Sequence, residues 1–82
     1  MNNQLQLIVD HQAGALERLL RVTRHRGYQV LQLSARALPA GGLSVRLEVA
    51  GDRPLMALIT QLSKLEEVRQ LSASHRPVRV AA

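Results

Sequence analysis

The sequence predicts an α+β fold: a sandwich of one four-stranded antiparallel sheet with two helices on one face, in the order βαββαβ. Three observations predict it. Leu5, Leu7 and Val9, and later Leu43, Val45, Leu47 and Val49, recur at every second position, the period of a strand with one buried face. Two other segments, from about Ala15 to Arg26 and from Pro54 onward, carry their apolar residues at helical spacing. Each helical segment lies between two strand-like runs, and two interlocked right-handed strand-helix-strand crossovers place both helices on the same side of the sheet.

Taken in order, the first strand alternates Leu5, Leu7 and Val9 with Gln4, Gln6 and Ile8 and closes near Asp10. Gly14 stands before the first helix, where a residue without Cβ lets the chain turn tightly and leaves the first helical N–H groups open. Leu16, Leu19, Leu20 and Thr23 form the inner face of that helix, while Glu17, Arg18, Arg21, Arg24 and His25 fall elsewhere on the wheel. Gly27 stops it. A second strand follows in which Leu31, Leu33, Ala35 and Ala37 alternate with Gln32, Ser34 and Arg36. Pro39 to Gly42 makes the hairpin into the third strand, which Gly51 and Asp52 end. Pro54 suits the first turn of the second helix, whose stripe is Leu55, Leu58, Ile59, Leu62 and Leu65. A short last strand spans about Val68 to Ser74, and residues 76–82 are read as a tail on a domain of residues 1–75. This is the ferredoxin-like topology, and its open sheet face carries Gln6, Ile8, Gln32, Ser34, Arg36, Ser44, Arg46 and Glu48.

Eighty-two residues make one domain with a modest core, so a partner that covers apolar area would stabilise it. There is no cysteine, hence no disulfide or thiolate metal site, and the chain is compatible with a reducing cytoplasm. The opening MNNQLQLIVD has neither the basic region nor the apolar length of a signal peptide or membrane span. The net charge is +5, and ten of the eleven basic residues are arginine, which raises nucleic acid as a partner alongside protein interfaces. Base recognition on a sheet of this topology uses aromatic residues, however, and Tyr28 is the only one. His11, His25 and His75 lie in separate segments without a helical ligand pair, and no nucleophile, phosphate loop or paired-carboxylate arrangement accompanies them. The sequence therefore predicts no catalytic and no metal-ligating residue.

Gly14 and Leu16, followed by Arg26, Gly27 and Tyr28 between a helix and a strand, resemble the signature of the ACT domain. The runs LERLLRVTRHRGYQV and QLSKLEEV are similar to the short regulatory subunits of acetolactate synthase (acetohydroxyacid synthase), of the isozyme II type, over roughly Leu5 to Ser74. The resemblance implies a non-catalytic, cytoplasmic subunit of branched-chain amino-acid biosynthesis whose large catalytic partner carries thiamine diphosphate, magnesium and FAD. It further implies a homodimer joined through the second strand, with Leu31, Leu33 and Ala35 at the seam, and a branched-chain amino-acid site lined by His11, Gly14, Gln29 and Val30. Feedback-inhibited members carry Asn where this chain has His11 and Gln29, so weak or absent valine sensitivity is expected. Two other readings remain open on the residues: a free-standing amino-acid-sensing ACT dimer serving another enzyme, and a small RNA-binding protein.

Overall fold

The computed structural model describes residues 2–75, which form β1 (Asn2–Val9), α1 (Ala15–His25), β2 (Gln29–Ala37), β3 (Leu43–Ala50), α2 (Leu55–Ser63) and β4 (Val68–His75). The expected tail, residues 76–82, lies outside the described residues. The four strands make one antiparallel sheet in the order β2-β3-β1-β4, so β2 and β4 are its edges.

The inward residues of the two central strands, Leu5, Leu7, Val9, Val45, Leu47 and Val49, are all buried, and Leu19 of α1 with Leu58 and Leu62 of α2 closes over them. Burying one such leucine is worth about 1.5–3 kcal/mol, so these side chains hold the helices to the sheet. Thr23 takes a buried place in the α1 stripe because its hydroxyl donates to the Leu19 carbonyl at 2.8 Å, which satisfies it without a partner outside the helix. Gly27, at φ 87°, turns the chain out of α1 into the left-handed region. Tyr28 then enters the core at 3% exposure, its hydroxyl donating to the Arg53 carbonyl. Burial pushes the phenol's pKa up, and the nearby Arg53 charge opposes the shift.

Two places differ from the expected pattern. The spacing puts Leu31 with Leu33, Ala35 and Ala37 on the inner face, but the β2–β3 register shifts between Val30 and Gln32. Val30 pairs with Val49 and takes the inner place, whereas Leu31 is the extra residue of a bulge and stays 44% exposed. The helical stripe of α2 also ends sooner: Leu65 lies beyond Ser63, half-buried against the core from the following turn. A second irregularity falls where Val9 pairs with Val68 and Ile8 with Gln70, leaving Arg69 outside the ladder. The open face is as expected, with Gln6 beside Arg46, Ile8 beside Ser44 and Gln32 beside Glu48.

Candidate functional site

The β1–α1 loop begins where β1 leaves the sheet. The Asp10 N–H donates to the Glu67 carbonyl at 2.7 Å, the Gln12 N–H to the Asp10 carbonyl at 2.9 Å, and the Ala15 N–H to the Gln12 carbonyl at 3.1 Å. These three bonds curl the loop so that His11, Gln12 and Ala13 face solvent. Gly14 occupies the N-cap at φ 80°, ψ 2°, a left-handed conformation open to glycine and strained for other residues. As a glycine it offers the α1 amides no capping side chain, so the loop presents a helix start without a side-chain acceptor.

Ion pairs fix this loop from the far side of the chain. The Arg18 guanidinium donates to the Glu67 carboxylate, and also to the Ala13 carbonyl at 3.3 Å. It lies close under Gly14, with a guanidinium nitrogen 3.1 Å from where a Cβ would stand. Arg69, freed from the ladder by its bulge, pairs with the Asp10 carboxylate. Glu67 is buried, and its carboxyl is held below the usual glutamate range by its own backbone N–H and by Arg18. Glu67 thus grips the loop twice, through its carbonyl and its carboxylate. Sequence spacing gave no sign of this: Arg18 and Glu67 are 49 residues apart, and Asp10 and Arg69 are 59 apart.

Of the four expected effector-site residues, one chain brings together only two. His11 and Gly14 belong to the loop that follows Val9, and Val9 is next to Leu43, which is next to Ala37. Gln29 and Val30 lie opposite Ala50 and Val49, beside Asn2 and Asn3. Asn3 and Val9 are six residues apart along β1, so the halves are separated by about 20 Å along the sheet at ~3.3 Å per residue. His11 and Gln29 are exposed, while Gly14 and Val30 are half-buried. Of the seam residues, Leu31 and Ala35 are exposed and Leu33 is half-buried, all on an edge strand. Among the described residues no group of three His, Cys, Asp or Glu side chains is placed to hold a metal ion.

A two-layer ferredoxin-like sandwich whose first loop ends in a left-handed glycine at a helix start has the architecture of an ACT domain. The ACT-domain family profile matches residues 11–71, and the chain belongs to that family. It is 36% identical over 73 residues to the acetolactate synthase isozyme 2 small subunit of Escherichia coli K12, a match covering 88% of this chain and 84% of that one. Among solved structures, the acetolactate synthase small subunit of Thermotoga maritima superimposes with a TM-score of 0.73 at 18% identity, over 89% of this chain and 47% of that one. The ACT domain of the Chlorobium tepidum GTP pyrophosphokinase gives 0.76 at 13% identity, over 90% of this chain and 97% of that one. At such low identity these two likenesses speak to the fold alone.

Proposed function

We propose that this chain is a non-catalytic regulatory small subunit of an acetolactate synthase, acting in branched-chain amino-acid biosynthesis by binding and activating a separate large catalytic chain. The observation that carries this reading is the 36% identity to the isozyme 2 small subunit over nearly the whole of both chains. The thiamine diphosphate, magnesium and FAD belong to the large subunit in this reading, and the pair works in the cytoplasm. The test is affinity capture of the tagged chain from its native cell, with mass spectrometry of what co-purifies. Recovery of a large acetolactate synthase chain in near-stoichiometric amount supports the assignment; recovery of an unrelated enzyme instead favours an ACT dimer with another client.

The same reading makes the chain a homodimer through β2. An edge strand leaves a row of N–H and C=O groups unpaired, and a symmetric copy satisfies them at both edges at once. Antiparallel pairing of two β2 strands sets the Gln29–Val30 end of one chain beside the Ala37 end of the other, the same end of the sheet as the His11–Gly14 loop, with β3 between them. The four effector residues are then brought to the same end of the paired sheet, two from each chain. At that site His11 and Gln29 stand where feedback-inhibited relatives carry asparagine. Loss of one well-placed buried polar contact costs about 1–3 kcal/mol, or one to two decades of affinity, so valine binds weakly or not at all.

A further inference from the structure

Eight arginines have described side chains, and their charges are distributed unevenly. Arg18 and Arg69 are paired with Glu67 and Asp10. Arg21, Arg24, Arg26, Arg36, Arg46 and Arg53 form no ion pair among the described residues, and all six are exposed; Arg36 and Arg46 stand on the open sheet face, away from the other four. The fold gathers Arg21, Arg24, Arg26 and Arg53 at one corner. Arg21 and Arg24 share a shallow depression on the outer side of α1 with His25, and Arg26 follows as the C-cap. The end of α1 meets the approach to α2 there: Tyr28 donates to the Arg53 carbonyl, and the Arg53 side chain lies over Gly27, its Nε 3.0 Å from the position of a Cβ. Three residues after Arg53 comes Met56, a large apolar side chain 69% exposed on the first turn of α2.

The negative end of the α1 dipole favours cations within its last turn only, so it accounts for Arg24 and Arg26 but not for Arg53, which comes from a different segment. Four like charges face two nearby carboxylates, Glu17 and Asp52, so the corner keeps a net positive field that an anionic surface would complement. Arginine and methionine together are the residue types that protein interfaces favour, the first for bidentate carboxylate pairing and the second for adaptable packing. Single-stranded nucleic acid would also be attracted to the charge, but Tyr28 is buried, so the corner offers bases no ring on which to stack.

We propose that the Arg21–Arg24–Arg26–Arg53 corner around Met56 is the surface with which this chain docks an acidic patch on its large catalytic partner. The inference rests on the function proposed above and adds the contact surface and its chemistry. The experiment measures binding of the purified catalytic chain to immobilised parent chain, to Arg24→Glu/Arg53→Glu, and to Arg36→Glu/Arg46→Glu, which makes the same charge change on the open sheet face. The docking surface requires a more than tenfold loss for the first variant, a change within about threefold for the second, and parental binding that weakens as salt rises. If the first variant melts out, Arg24→Gln/Arg53→Gln replaces it and gives the same ordering at smaller amplitude. Equal loss in both variants shows that only net charge matters and overturns the docking surface. No loss in either variant also overturns it, while parental binding leaves the regulatory assignment standing. A parent that does not bind the catalytic chain at all overturns that assignment and the surface with it. A labelled RNA oligonucleotide run in parallel that binds as tightly as the catalytic chain, and is lost in the first variant, reassigns the corner to nucleic acid.

Discussion

Replacing Leu58 by alanine is the sharpest test of how this domain is held together. Leu58 is fully buried on α2, in one cluster with the inward residues of β1 and β3 and with Leu19 and Leu62. Truncation removes three carbons' worth of contact and leaves a void that a tightly packed sandwich fills poorly, a cost of about 2–5 kcal/mol. A domain of this length has about 4–12 kcal/mol in total, at ~0.05–0.15 kcal/mol per residue, so the substitution removes about a sixth of its stability at the least and all of it at the most. With a shift of about 4–8 °C per kcal/mol, the melting temperature falls by at least about 8 °C, and at the upper end the chain is unfolded at room temperature. Thermal melts followed by circular dichroism measure this, at two protein concentrations because the proposed dimer would make the midpoint concentration-dependent. Thr60→Ala, exposed on the same helix, is the control and shifts the midpoint by no more than a few degrees. A Leu58→Ala chain that melts within a few degrees of the parent would refute the assignment of the α2 inner face.

Four further outcomes follow from named contacts. Gly51→Ala places a Cβ 2.7 Å from the Tyr28 ring, which is buried and tied down by its hydroxyl, and lowers stability by about 1–3 kcal/mol in urea titration. Because the folded Glu67 carboxyl titrates below its unfolded value, its contribution is complete above the ordinary glutamate range and is lost as pH falls through the lowered folded value; the stability gap between parent and Glu67→Gln therefore closes as the solution is acidified through and below the ordinary glutamate range. Light scattering at about tens of micromolar gives twice the chain mass, and Leu31→Asp, a change at an exposed edge position, shifts it toward the monomer without lowering helix content. Calorimetry detects weak or no valine binding to the parent, and His11→Asn/Gln29→Asn raises the affinity if the two halves of the site meet across the seam.

Much of the fold was legible because burial imposes a period. Leu5, Leu7 and Val9 or Val45, Leu47 and Val49 have to alternate to keep one face dry, and Gly14 and Gly27 mark the two ends of α1 by the left-handed turns they permit. The bulge at Leu31 left no such mark. One extra residue in an edge strand changes which side chain faces inward without changing composition, and Val-Leu fits either register. The candidate site was legible only in part for a different reason. Gly14 is a local signal, whereas the Arg18–Glu67 and Asp10–Arg69 pairs join residues that only the folded sheet brings together. Even the folded chain separates His11 from Gln29, since they lie at opposite ends of the sheet.

The central claim is that this chain acts by changing the work of a larger enzyme. Acetolactate formation by the isolated catalytic subunit, measured while this chain is titrated in, tests it most directly. The account predicts a saturable rise in rate that levels off at a fixed ratio of the two chains, with little or no fall on adding valine. A rate unchanged at every ratio would contradict the regulatory assignment.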